Sequence, residues 1–235
     1  MSPSRLSSRL SSLAWPDVPA GVLTVPVGAT EQHGPHLPVT TDTVIAEAIV
    51  NGLSDRRPDV IVAPALSYGS SGEHAGFVGT LSIGREATEL LLVELGRSAA
   101  DSFGRMLLVS THGGNADPVN SAVSRLRAEG RDVRAWAPRW KGDAHAGLVE
   151  TSVMLAAAPD RVALDRAEPG NREPLAELLP RLSAGGTRAV SENGVLGDPT
   201  GASADEGRRL LAAAIDDLEA TVTDWMRVLT STHHR

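Results

Sequence analysis

The chain predicts an α/β fold, a three-layer α/β/α arrangement on a mostly parallel sheet. Short apolar runs alternate with helix-length amphipathic segments, Gly and Pro punctuate the joins, and 235 residues suffice for one substantial core. One domain over residues 1–235 is the expectation from length.

"GVLTVPVG" (21–28) reads as a buried strand ending at Gly28, and "TVIAEAIVNGL" (43–53) as the helix after it. "DVIVAP" (59–64) is the second strand. Leu91, Leu92, Leu95 and Ala99 recur at helical spacing before "RMLLVS" (105–110), the third strand. "PVNSAVSRLRAEG" is a helix closed by Gly130, and "RDVRAWAP" a short fourth strand. Steady alternation of this kind means parallel strands covered by helices. Residues 160–202, rich in Pro and Gly, read as a long loop-like excursion that covers an active site or meets another subunit. Ser203 and Glu206 have the spacing of a capping box, and Leu211, Ile215, Leu218, Val222, Met226 and Leu229 then line one side of a long final helix.

Twenty-two basic against 29 acidic side chains give a net charge of -7, with no basic footprint for nucleic acid or an anionic membrane. No apolar run reaches the roughly 20 residues of a membrane span. The opening "MSPSRLSSRLSSLAWPDVPAG" breaks into Ser and Pro without a continuous apolar region, so a cytoplasmic protein is expected. Residues 1–18 and 231–235 are expected to be flexible ends, which makes His233 and His234 poor ligand candidates. With zero cysteines, any metal is held by nitrogen and oxygen.

Ligands of open parallel sheets sit beyond the carboxyl ends of the strands. Glu31, His33 and Asp42 follow the first strand, His112 the third, and His145 and Glu150 the fourth. Alternation puts Glu31 and His33 on one face of an extended chain, about 6–7 Å apart. A carboxylate such as Asp42 can bridge two ions, which in two-metal hydrolases lie about 3.5–4 Å apart. Mixed imidazole and carboxylate suit Zn, Mn or Fe better than Mg or Ca. A bland reading stands beside this one: Glu31 caps the next helix, His33 and His36 are hydrogen-bonded loop residues, and "HGGN" is a tight turn. Neither GxGxxG nor a P-loop motif occurs. Glu73 and His74, in the glycine-rich "SGEHAGF" (71–77), are candidates to line a substrate or simply to pack their loop. Asn115 either anchors the "HGGN" turn or binds substrate. Trp136, Arg139 and Trp140 precede His145, where they offer aromatics and a cation to a substrate, or the two tryptophans only pack.

"VPVGATEQHGPHLPVTTD", "HGGN" at 112–115 and "HAGLVET" at 145–151 occur in that order, and over nearly its whole length the chain resembles the creatininase (creatinine amidohydrolase) family. The resemblance implies one α/β/α domain and metal-dependent hydrolysis of non-ordinary amide bonds. It implies two divalent ions per subunit, with Zn2+ or Fe2+ favoured and Mn2+ a further candidate. Their implied ligands are Glu31, His33, Asp42, His112 and Glu150, with Asp42 bridging and His145 catalytic beside the substrate. A homo-oligomer built from dimers, hexamer or octamer, is implied as well. In creatininase proper a metal-binding glutamate follows the third-strand histidine by two residues; here that place is Gly114, which points away from creatinine and toward the deformylase and peptidase branches. "APALSYGSSGEHAGFVGTLSIG", "HAGLVETSVML", "PGNREPLAELLP" and "GVLGDPTGASADEG" resemble the peptidase branch, although Thr111 stands where glycine is more usual. That branch implies removal of a C-terminal Val-Tyr dipeptide from a modified precursor peptide. A cyclic amide or formamide substrate, or a non-catalytic metal-containing peptide-binding protein, are the alternatives.

Overall fold

Four apolar runs become four parallel strands, β1 (Val22–Val27), β2 (Val60–Val62), β3 (Arg105–Ser110) and β4 (Val133–Trp136), in the order β2-β1-β3-β4. The computed structural model describes residues 8–230, with side chains through Arg227; Leu229 of the expected stripe and the stretches 1–7 and 231–235 lie outside what is described. From the end expected to be flexible, residues 8 onward lie against β2, where the amide of Val62 donates to the Ser8 carbonyl at 2.8 Å.

The helices are α1 (Thr41–Arg56), α2 (Arg85–Ala99), α3 (Ala116–Ala128), α4 (Leu148–Ala157), α5 (Leu175–Gly185) and α6 (Ala204–Thr230). Alternation along the strands makes the three layers. Leu23, Val25, Val27, Met106 and Leu108 face α2 and α3, meeting Leu92, Val93, Ala122 and Leu126. Val22, Val60, Leu107 and Val109 face the other way, onto Ile45, Ile49 and Leu53 of α1, Met154 of α4 and Leu218 and Val222 of α6. Both faces of the sheet are covered, so its strands carry apolar residues at nearly every position.

The Ser203 hydroxyl accepts from the Glu206 amide at 3.2 Å, capping α6. The stripe on α6 sits one residue off the expected line: Leu210, Ala214, Leu218, Val222 and Trp225 are buried, and Leu211, Ile215 and Met226 flank them half-buried. The excursion 160–202 is not all loop, since it contains α5. Pro180 lies inside that helix and removes an amide donor, which is why the stretch reads as irregular. The excursion also folds back on its own chain: Leu196 and His145 exchange backbone hydrogen bonds, and the amide of Ala163 donates to the His36 carbonyl at 2.9 Å.

Gly28, at the end of β1, lets the start of α1 come close. A Cβ there would stand 2.5 Å from the Thr43 backbone. Gly28→Ala should therefore push α1 and Asp42 away from β1 and cost about 1–3 kcal/mol, read as a lower urea midpoint of the metal-free protein; an unchanged midpoint would show that the joint has slack.

Candidate metal centre

Because all four strands are parallel, the connections after them gather at one edge of the sheet. The chain after β1 brings Glu31 and His33, the first turn of α1 brings Asp42, the chain after β3 brings His112, and the first turn of α4 brings Glu150. His33 Nε2 lies 3.5 Å from Asp42 Oδ1 and 3.8 Å from Glu150 Oε2. His112 Nδ1 lies 3.7 Å from Asp42 Oδ2, while its Nε2 is 3.1 Å from Glu31 Oε2. Asp42 thus turns one oxygen to each histidine. Atoms bound at about 2.1 Å to one tetrahedral ion stand about 3.4 Å from each other, close to the spacings of His33 Nε2 and His112 Nδ1 from Asp42; His112 Nε2 instead donates to the Ser70 carbonyl at 2.9 Å, which leaves Nδ1 for the centre.

Glu31 and His33 have no solvent exposure and Asp42 has 2%. Yet both Glu31 oxygens, His33 Nε2 and Asp42 Oδ2 lack a hydrogen-bond partner among the described residues. Buried polar atoms are otherwise almost always paired. Four orphaned atoms converging in two groups, Glu31–Asp42–His112 and His33–Asp42–Glu150, are the donor set that two divalent ions would satisfy.

Without such ions the cage balances its carboxylates with protons. Burial opposes a charged His33, but Asp42, Glu150 and Glu31 override it and push the imidazole up to about 10. His112 goes up to about 10 likewise, against burial, through Glu31, Asp42 and Glu73. Burial also disfavours an ionised Glu31, yet His112, His33 and His74 hold its carboxyl well below the usual range. Burial, reinforced by Asp42 and Glu31, pushes Glu150 up despite His33.

Neighbours fix the ring orientations. His33 Nδ1 donates to the Glu31 carbonyl at 3.2 Å, leaving Nε2 for the centre. His145 Nε2 donates to the Gln32 carbonyl at 2.8 Å, so Nδ1 faces the centre, 3.9 Å from Glu31 Oε1. Burial, then His33 and His74, keeps His145 well below the usual imidazole range and hence neutral. The Gln32 side-chain amide donates to His74 Nδ1 at 2.9 Å and to the Gly194 carbonyl at 3.0 Å, while its oxygen accepts from the Gly34 amide at 2.9 Å. The Glu150 carboxylate accepts from the Ala146 amide at 2.6 Å, and Asp143 Oδ2 accepts from Leu148 and Asp198, each at 2.9 Å. Asp143 thereby pins the start of α4, and Glu150 with it. The Thr111 hydroxyl donates to the Asp42 carbonyl at 2.7 Å, tying the end of β3 to α1.

The other sequence candidates divide. Trp136 and Trp140 line a cavity of about 330 Å³ that also touches His112 and Glu150. Trp136 spends its indole N–H on Asp217, at 2.7 Å, whereas the Trp140 N–H is buried without a partner among the described residues. Glu73 and His74 reach the centre itself, with Glu73 Oε1 3.4 Å from His112 Nε2 and His74 Nε2 3.3 Å from Glu31 Oε1. Asn115 is an anchor: fully buried, it accepts from the Ser70 amide and donates to the Gly28 carbonyl, each at 2.9 Å. Arg139 is absent from the cavity wall; its side chain is 84% exposed and lies 3.6 Å from Asp217. His36 fits the bland reading, bonding Thr151 at 2.8 Å. Gln32 and Asp143 escaped the sequence reading, although each stands within two residues of a candidate, because their roles depend on partners more than 40 residues away.

The family model described as "Creatininase: Creatinine amidohydrolase" matches residues 11–222. The chain belongs to the creatininase family. It is 49% identical over 229 residues to the "Mycofactocin precursor peptide peptidase" of Mycobacterium ulcerans (strain Agy99), covering 93% of this chain and 89% of that protein. Among solved creatininase structures, a mutant of "Zn-Zn type" superposes with a TM-score of 0.78 at 25% identity, and "Creatininase Mn" with 0.78 at 24%, each covering 93% of this chain and 98% of the other. Creatininase relatives thus include Zn and Mn forms, and the family fold is the α/β architecture found here. Among the described residues no helix is long and apolar enough to cross a membrane.

Two outcomes follow from the cage. Raised imidazoles are charged below about 10, so at pH 8 the metal-free protein carries protons on His33 and His112. Loading should then release about two protons per subunit, measurable by calorimetry in buffers of different ionisation enthalpy; a loading reaction with no proton exchange would contradict the charge balance. Asp42→Ala should lose both ions, by elemental analysis, since it faces both histidines; retention of either at full occupancy would place Asp42 on one side only.

Proposed function

We propose that this protein is a metal-dependent peptidase that acts on the mycofactocin precursor peptide and removes its C-terminal Val-Tyr dipeptide. The observation that carries this reading is the pair of donor groups with orphaned buried atoms, which His112 and Glu150 connect to a tryptophan-walled cavity. A relative of 49% identity named for that substrate supports it. Glu31, His33, Asp42, His112 and Glu150 would hold two divalent ions, Zn2+ or Fe2+ by preference and Mn2+ as a further option, and Asp42 turns one oxygen toward each histidine. The cavity volume falls within the range of small-ligand pockets. We place the whole chain in one domain and its action in the cytoplasm. Exposed Tyr68, Val78 and Leu81 support assembly into a homo-oligomer, hexamer or octamer.

Divalent ions bound at this donor set would make water a usable nucleophile near neutral pH and polarise the scissile carbonyl. His145 moves the proton. Its Nε2 hydrogen is committed to Gln32, so Nδ1 accepts a proton from the attacking water and delivers it to the departing amine. The carbonyl carbon gains the water oxygen as its bond to nitrogen breaks. Gln32 keeps this tautomer in place, and Trp136 and Trp140 shield one wall of the site from solvent.

Mass spectrometry of the modified precursor peptide after incubation with metal-loaded protein should show loss of one Val-Tyr unit, and none with chelator present. An intact peptide with metal demonstrably bound would move the substrate to a cyclic amide or formamide, and binding without turnover on any of these would indicate a peptide-binding protein. His145→Ala should lower kcat about 10²–10⁴-fold with metal content unchanged; loss of metal would instead make His145 a ligand.

A further inference from the structure

The Gln32 side chain stands between two imidazoles with a single hydrogen to give them. Its Oε1 accepts from the Gly34 amide at 2.9 Å, and its Nε2 donates to the Gly194 carbonyl at 3.0 Å. Reversing the amide would set oxygen against oxygen and N–H against N–H, so these partners fix its orientation. One Nε2 hydrogen is therefore committed, and the nitrogen lies 2.9 Å from His74 Nδ1 and 3.1 Å from His145 Nε2. An amide nitrogen only donates, so the ring nitrogen that takes the second hydrogen must itself be unprotonated. For His145 that choice decides the chemistry. Accepting at Nε2 would leave its ring proton on Nδ1, the nitrogen that faces the centre 3.9 Å from Glu31 Oε1, and no lone pair would remain there to receive a proton. His74 offers the alternative acceptor. With Gln32 bonded to His74 Nδ1, His145 Nε2 keeps its proton and donates it to the Gln32 carbonyl at 2.8 Å. His74 then carries its own proton on Nε2, 3.3 Å from Glu31 Oε1. Packing holds the group in place: His74 is buried, and its ring centroid lies 4.4 Å from that of His145. Gly194 contributes as well, since a Cβ there would overlap the Gln32 side-chain oxygen.

We propose that His74 is a positioning residue: by taking the Gln32 amide hydrogen at Nδ1, it keeps His145 as the tautomer whose free Nδ1 faces the metal centre. Its consequence for turnover rests on the proton-carrying role of His145, whereas the tautomer itself depends only on atoms of this chain. His74 is thereby kept off the ions, with Nδ1 engaged by Gln32 and Nε2 protonated. Without the His74 acceptor, a buried Gln32 N–H is left unpaired unless His145 Nε2 accepts it, and buried donors are almost always paired.

Long-range proton–nitrogen correlation spectra of the histidine rings, taken on full-length protein both zinc-loaded and metal-free, identify which nitrogen of each neutral imidazole carries the proton. Wild-type His74 and His145 should both be protonated at Nε2; a proton on Nδ1 of either ring would overturn the proposal. His74→Leu removes the acceptor at similar bulk, and His74→Asn returns an oxygen near the place of Nδ1. In His74→Leu the His145 proton should move to Nδ1, and kcat on the modified precursor peptide should fall at least about 10-fold, part of what a positioned acid or base contributes, with KM and zinc content unchanged. His74→Asn should restore the Nε2 proton and most of kcat. A His145 that stays protonated at Nε2 in His74→Leu would overturn the proposal whatever happens to turnover, because His74 would then only fill space. A His145 proton moved to Nδ1 with undiminished kcat would uphold the link between the two rings and remove instead the proton-carrying role of His145.

Discussion

Two buried carboxylates, a third that is mostly buried, and two buried imidazoles at one edge of the sheet need positive charge between them. Glu31, Asp42 and Glu150 cannot remain ionised side by side in a site that water barely reaches unless cations or protons compensate them. Protonated His33 and His112 supply that charge in the metal-free chain, and divalent ions would supply it while also engaging Glu31, His33 and Asp42 atoms that no protein group satisfies. Much of the surrounding structure serves to hold this unfavourable cluster together.

The parallel sheet does the gathering. Its order β2-β1-β3-β4 sets the exits of β1 and β3 side by side, so Glu31 and His112 meet although 81 positions separate them in the chain. Cross-ties then remove slack: Asn115 joins the connections after β1, β2 and β3, Thr111 joins β3 to α1, and Asp143 fixes α4 to the excursion. A ligand set held by backbone-anchored neighbours keeps its shape when the charge inside it changes. The same economy explains Gln32, whose amide touches His74, His145 and Gly194 and so couples three connections at once.

Much of this could be read from the sequence. β3 falls on 105–110 as expected, and the five metal-ligand candidates converge because strand-end chemistry and local spacing are properties of short segments. The rest depends on distant contacts. Asn115 gave equal grounds for anchoring and for substrate binding until its partners at Gly28 and Ser70 were in place, and Arg139 looked useful by proximity to His145 while its side chain lies out on the surface beside Asp217. Helix α5 was hidden by Pro180, a residue that breaks the local signal without preventing the helix. Glu73 was visible as a loop acid near glycines, but that it fills the space over Gly114 is a fact of tertiary structure.

The most direct test of the cage is X-ray diffraction from metal-loaded crystals, with anomalous data collected at the absorption edge of the bound metal. Two peaks about 3.5–4 Å apart, one between Asp42 and His112 and the other between Asp42, His33 and Glu150, are the expected result. No anomalous peak among these side chains, with the Glu31 and Asp42 oxygens instead hydrogen-bonded to water, would show that protons alone balance the cluster and would contradict the account.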